Sequence, residues 1–287
     1  MKLSLEGIKK TFGNVKALEN VSLSLNEPGI YGLLGRNGAG KTTLLNIICR
    51  RVFPDSGAVM LDGNPIGDCD EQLSLFHMMG EKTYYDEDLK FKDAVKCAED
   101  FYGCGFRKDQ ALRYADLFGL DAGKKIEKLS TGYKTIFKSS IALALDIPFV
   151  FFDEPVLGLD ANHREMFYKL LLEDCSRDPK VIVVSTHLIE EVAPLVERFI
   201  ILKEGKVLME KSAESMDAYA SSVTGPKESV ESYVARFQIL GRSFIGKLET
   251  AYIVGQPDDA PQGLTVQNLD VQRLFIELTN TKKEAMA

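Results

Sequence analysis

The stretch Gly35-Arg36-Asn37-Gly38-Ala39-Gly40-Lys41-Thr42 has the form G-x-x-x-x-G-K-[ST], and its flanks leave the chain few ways to fold. Before it, Ile30-Tyr31-Gly32-Leu33-Leu34 reads as a buried strand; after it, Thr43-Leu44-Leu45-Asn46-Ile47-Ile48 is apolar at helical spacing. A strand that runs through a glycine-rich turn into a helix is a phosphate-binding arrangement. The glycines let backbone N–H groups point inward, and the positive helix N-terminus favours an anion against them. In such a loop Lys41 reaches the β- and γ-phosphates and the Thr42 hydroxyl ligates Mg²⁺.

Two further apolar runs, Phe149-Val150-Phe151-Phe152 and Val181-Ile182-Val183-Val184, are too short for helices and do not alternate. They read as central strands of a parallel sheet with both faces covered. Each ends in polar residues, Asp153-Glu154 and Ser185-Thr186-His187. Ligands of open α/β sheets bind beyond the carboxyl ends of the strands, so these clusters and the phosphate loop are expected to meet on one edge. There Asp153 is placed to hold Mg²⁺ and Glu154 to act as general base on a water.

Elsewhere, Leu3–Ile8 and Val21–Leu25 alternate as half-buried antiparallel strands do, around a turn at Thr11–Asn14 that carries Phe12. A further strand is read at Ala58–Leu61, and residues 86–120 read as helical. Ser130 precedes another helical stretch, which Pro148 closes. Ser212–Pro226, rich in small residues, reads as a linker or the start of an appendage. Beyond it are expected a helix at Glu228–Phe237, a strand at Ala251–Val254, a loop at Gln256–Gly263 and a helix at Val271–Leu278.

The net charge of −7 gives no whole-chain support for non-specific nucleic-acid binding, so no nucleic-acid partner is expected. Five scattered cysteines without a C-x-x-C pair suit neither a disulfide framework nor a zinc site and imply reduced thiols in the cytosol. No run approaches the ~20 apolar residues that cross a bilayer, so a membrane role is expected to come through a partner. His77 and His163 are read as structural.

The segment Leu129-Ser130-Thr131-Gly132-Tyr133, between the phosphate loop and the acidic strand, completes a resemblance. Together these residues resemble the nucleotide-binding subunits of ATP-binding cassette (ABC) transporters, whose signature is usually Leu-Ser-Gly-Gly-Gln. Ser130 and Gly132 match it, while Thr131 and Tyr133 depart. The resemblance covers residues 1–210 or so. It implies an α/β fold: a P-loop nucleoside-triphosphatase core with a parallel sheet, an antiparallel β subdomain and a helical subdomain at about 86–147. The expected division is a nucleotide-binding domain at 1–212 and a small C-terminal α+β accessory domain at 213–287.

The resemblance also assigns roles. Phe12 stacks on adenine; Asn37, Gly38, Ala39, Gly40, Lys41, Thr42 and Thr43 cradle the phosphates. Ser130 and Gly132 close over ATP held by a second subunit, and Asp160, in Leu157-Gly158-Leu159-Asp160, belongs to the loop through which two subunits communicate. His187 contacts the γ-phosphate beside Glu154, so Glu154, His187 and Lys41 form the catalytic set. Where the family has a Mg²⁺-binding glutamine, the spacing places Glu81, giving Thr42, Asp153 and Glu81 as the metal set.

The implied protein is an ATP-hydrolysing subunit using ATP and Mg²⁺. It pairs with a second cassette, identical or not, and a separate transmembrane permease, on the cytoplasmic face of the plasma membrane. Val156–Asn162, Ser185–Val192 and the C-terminal appendage look most like bacterial export-type cassettes. The rivals are a soluble cassette ATPase acting on ribosomes or DNA and a non-hydrolysing regulatory module.

Overall fold

The computed structural model describes residues 1–257 and 261–280. Its first elements are β1 (Leu3–Phe12), β2 (Val15–Leu25), β3 (Gly29–Gly35) and α1 (Lys41–Ile48). Then come β4 (Ser56–Leu61), β5 (Asn64–Pro65), α2 (Asp70–Leu73), β6 (Phe76–Met79), α3 (Phe91–Tyr102), α4 (Lys108–Leu117) and α5 (Thr131–Ala142). The second half runs β7 (Phe149–Asp153), α6 (Ala161–Arg177), β8 (Val181–Thr186), α7 (Ile189–Val192), β9 (Arg198–Lys203), β10 (Lys206–Ser212) and α8 (Ala213–Asp217). It closes with β11 (Ala220–Pro226), α9 (Lys227–Val234), β12 (Ile239–Ile245), β13 (Leu248–Val254), β14 (Thr265–Asn268) and α10 (Val271–Thr279).

The central sheet has the order β10-β9-β3-β8-β7-β6, and β3, β6, β7, β8 and β9 run parallel within it. Its apolar runs are continuous because successive side chains enter two different cores. Val150, Phe152, Ile182 and Val184 join the core shared with α3, α5 and α6. Phe149, Phe151, Val181 and Val183 join the core shared with α1 and the antiparallel sheet β2-β1-β4-β5. The fold is thus mixed α/β with antiparallel sheets alongside, as the sequence implied. No helix among the described residues is long and apolar enough to cross a membrane.

Some expectations change. The helical stretch at 86–120 is two helices, α3 and α4, because Gly103 takes a φ of +55° that ends the first. Of the two readings of Ser212–Pro226, the linker falls and the start of an appendage fits: it forms α8 and β11, and β11 lies between β13 and β14 in the C-terminal sheet. Its small residues are packing devices; a Cβ on Gly225 would stand 2.4 Å from a Leu264 methyl. The strands β6, β9, β10, β12 and β14 had no counterpart in the sequence reading. Part of the loop expected at Gln256–Gly263 lies outside the described residues.

The C-terminal sheet, β12-β13-β11-β14, carries α9 on a small core of Val223, Val230, Val234, Ala251 and Ile253. Its other residues are continuous with the main core: Ala220, Tyr252, Leu269 and Leu274 pack in the same cluster as Ile189 and Val192 of α7.

At the amino ends of the central strands, buried Asp174 on α6 meets Lys180 Nζ at 2.6 Å and Arg177 Nη2 at 2.6 Å. Arg107 joins through Asp178 at 2.7 Å, and Lys180 also donates to the carbonyl of Leu145. Burial raises the Asp174 carboxyl above its ordinary range, with Lys180 the main opposing influence.

Candidate nucleotide site

The phosphate loop leaves β3 and enters α1 through Gly40, whose φ is +106°. A Cβ there would stand 2.5 Å from the carbonyl oxygen of Ala17 on β2. Only glycine fits, and the same contact docks the β1–β2 hairpin beside the loop. That hairpin ends at Phe12, whose ring is about half exposed (49%). Lys41 is 7% exposed and donates through Nζ to the carbonyl of Gly35 at 2.7 Å, curling over its own loop. Burial lowers its pKa, against the pull of Glu154 and Asp153. Asn37, Gly38 and Ala39 border a recess of about 310 Å³ that also meets Lys203, Glu204 and Thr279 at the end of α10. Thr43 lies half-buried on the first turn of α1.

The carboxyl ends of β7 and β8 meet this loop, as the parallel topology requires. Thr42 Oγ1 donates to Asp153 Oδ2 at 2.6 Å. Asp153 Oδ1 is buried with no hydrogen-bond partner among the described residues. A buried carboxylate oxygen left unpaired beside a hydroxyl is a donor set that suits a hard divalent cation, so these residues fit Mg²⁺. Glu154 comes next with a φ of +52°, a left-handed residue that turns the chain at the strand end. His187 Nδ1 donates to its Oε2 at 2.8 Å, because an ionised carboxylate only accepts. Thr186 Oγ1 stands 3.5 Å from the same oxygen and accepts from the Leu188 N–H at 3.0 Å.

Thr42, Asp153 and Glu154 open onto one cavity of about 600 Å³, whose wall also includes Glu81, Thr131 and Lys138. Glu81 lies just past the end of β6, exposed on that wall. Ser130 is the N-cap of α5, its Oγ accepting from the Tyr133 N–H at 3.4 Å. Gly132 packs against the next loop so closely that a Cβ would stand 2.7 Å from the carbonyl of Gly158. Asp160 caps α6, accepting the His163 N–H at 2.9 Å and pairing with the His163 ring at 2.9 Å. The structure therefore brings Lys41, Thr42, Asp153, Glu154 and His187 together. Ser130 and Asp160 sit at helix starts, where local capping occupies their side chains.

Other residues of the cavity escaped the sequence reading. Lys134, Thr135 and Lys138 come after Thr131 at helical spacing along α5, and that spacing was the available signal. Arg164 of α6 and Glu191 of α7 pair at 2.8 Å and tie the helix after Asp160 to the one after His187. His77 lies in a neighbouring cleft of about 400 Å³, bonded through Nδ1 to the Tyr102 hydroxyl at 2.8 Å; desolvation pushes its pKa down to about 3. Among the described residues no cluster of His, Cys, Asp and Glu forms a metal centre by itself.

A glycine-lined loop at a helix N-terminus, with a lysine over it and an Asp–Glu pair at the adjacent strand end, defines a P-loop nucleoside triphosphatase. The family profile described as "ABC transporter" matches residues 18–157. The uncharacterized ABC transporter ATP-binding protein MJ1023 of Methanocaldococcus jannaschii is 31% identical over 216 residues, 72% of this chain and 76% of that protein. Petrobactin import ATP-binding protein YclP of Bacillus subtilis is 29% identical over 223 residues, 75% of this chain and 88% of that one. Nod factor export ATP-binding protein I of Rhizobium sp. (strain N33) is 28% identical over 221 residues, 75% and 72% of the two chains. Among solved structures, the dimeric post-hydrolysis state of the ATP-binding cassette MJ0796, bound to ADP and Pi, superposes with a TM-score of 0.64 at 28% identity. It covers 74% of this chain and 98% of that one. The chain belongs to the ABC transporter ATP-binding family, and is an ATPase of that family.

Proposed function

We propose that the chain powers movement of a solute through a separate membrane-spanning partner, by ATP-driven closure of two cassettes and hydrolysis-driven opening. The observation that carries this reading is the convergence of Thr42, Asp153, Glu154 and His187 at one sheet edge, with Glu154 hydrogen-bonded to His187. Asn37 to Thr43 would hold the triphosphate, Lys41 its outer phosphates, and Phe12 the adenine. Thr42 and Asp153, with Glu81 on the wall, would hold Mg²⁺, which when bound neutralises phosphate charge. Glu154 would take a proton from water, oriented by the donor on His187. Ser130, Gly132 and Asp160 would meet a second cassette, identical or not.

Names among the relatives include both import and export. Our reading of export therefore rests on the likeness of Val156–Asn162, Ser185–Val192 and the C-terminal appendage to export-type cassettes. The position beneath the inner face of the plasma membrane comes from the same reading. We also propose that residues from 213 onward form an accessory unit; its support is the separate C-terminal sheet and the small core under α9.

The test is co-purification, then transport. A polytopic membrane protein should accompany the chain, and ATP should drive solute into inside-out vesicles containing both. Uptake only into right-side-out vesicles would reverse the direction. Ribosomes or DNA in place of a membrane protein would replace the reading altogether.

A further inference from the structure

The strand β6 lies at the edge of the central sheet, and its last pair is Met79 with Phe152. Beyond Met79 the chain leaves the ladder, so the carbonyls of Gly80 and Glu81 have no strand partner there. Lys138 bonds to both: its Nζ donates to Gly80 O at 2.5 Å and to Glu81 O at 2.8 Å. One residue further on, the same helix touches the same strand, with Ser139 Oγ 3.9 Å from Met79 Sδ. Lys138 is half-buried, and its stem runs along the wall of the cavity that holds Thr42 and Asp153.

The amino-terminal half of α5 is tied to a different loop. Thr135 Oγ1 donates to Leu157 O at 3.1 Å, and Gly132 lies against Gly158. Helix α5 is thus pinned at one end to the loop at 157–158 and further along to the loop at 80–81. Ser130 stands at its start. A short helix moves as a rigid rod, so both loops move with it.

We propose that Lys138 is a positioning residue, which by bridging the carbonyls of Gly80 and Glu81 holds the Glu81 carboxylate at the cavity wall and makes that loop move with α5. The inference rests on the nucleotide-site reading above and deepens it. Glu81 is a carboxylate where the family's pattern has a neutral glutamine, and a free carboxylate would be repelled by a triphosphate. Anchoring its backbone from a cation on α5 keeps it at the wall despite that repulsion. Charge-assisted bonds to two carbonyls are strong enough for the loop to be ordered by this contact.

The experiment uses the full chain with three substitutions, Lys138→Met, Lys138→Arg and Glu81→Ala. Amide hydrogen exchange across residues 80–86 is measured first, without nucleotide. Lys138→Met should speed exchange there by about tenfold or more, the scale of a lost hydrogen bond to a charged group. Lys138→Arg keeps donors in reach and should restore slow exchange. Glu81→Ala should leave it slow, because the anchor is to backbone. Steady-state hydrolysis is then measured against Mg²⁺ and ATP separately. Lys138→Met should raise the Mg²⁺ requirement about tenfold with the KM for ATP within about twofold of wild type.

Unchanged exchange in Lys138→Met overturns the proposal, as does failure of arginine to restore it. Equal rises in the Mg²⁺ requirement and the KM for ATP would do the same, since they mark general damage. If Lys138→Met does not fold, arginine and Glu81→Ala decide: fast exchange in either sinks the anchor. A wild-type chain that does not hydrolyse ATP would refute the ATPase reading, while the exchange measurement would still judge the anchor.

Discussion

Both ends of the central sheet hold buried acids beside cations, yet the two clusters are built in opposite ways. At the amino end, Asp174 has both carboxylate oxygens engaged, by Lys180 and Arg177, and Arg107 closes the group through Asp178. At the carboxyl end, Asp153 has one oxygen on Thr42 and the other without a partner among the described residues. Lys41 spends its charge on a backbone carbonyl. Saturated charges hold helix α6 to the strands; unsaturated ones are kept for something that arrives. Residue type alone does not separate the two, but strand direction does, because helix N-termini and loop N–H groups gather only at the carboxyl end.

The largest expected effect separates chemistry from fold. Glu154→Gln should cut ATP turnover on the order of 10²–10⁴-fold, the usual worth of a general base, while nucleotide still binds and the melting temperature holds. Wild-type turnover in that variant would erase the distinction between the ends. Lys180→Met should do the converse. It leaves Asp174 buried beside fewer cations and should cost about 3–5 kcal/mol in urea unfolding, with turnover per folded molecule unchanged. A stable variant with reduced turnover would show the amino end to be part of the site.

The third test concerns pH. Folded His77 resists protonation down to about 3, whereas in the unfolded chain it takes a proton near 6.5. The unfolded state therefore binds the extra proton in that window, and stability drops as pH falls through it. His77→Gln should flatten the slope between pH 6 and 4 by about 1.4 kcal/mol per pH unit. An unaltered slope would mean that His77 takes no part in the acid sensitivity.

The sequence showed one end of this sheet far better than the other. The phosphate loop, Asp153-Glu154 and His187 each sit where a strand gives way to a loop or helix, so local pattern and sheet topology place them together. The Asp174 group joins α6, the start of β8 and the turn before α4, and no local pattern links such distant positions. The edge strand β6 was missed because Phe76–Met79 is four residues without alternation, and with it went the reason for Lys138. That lysine looked like any polar residue on a helix until the loop it holds was seen. The small residues of β11 read as a linker because small side chains suit turns; in a central strand under α9 they suit close packing equally well.

The backbone at Glu154 has a consequence for anyone surveying this position by mutagenesis. Its φ of +52° is a conformation that side chains branched at Cβ tolerate poorly. Valine, isoleucine or threonine there would distort the bend after β7 as well as delete the acid, and loss of hydrolysis would then have two origins. Glutamine and asparagine keep the bend within reach, so they let the missing carboxylate speak for itself.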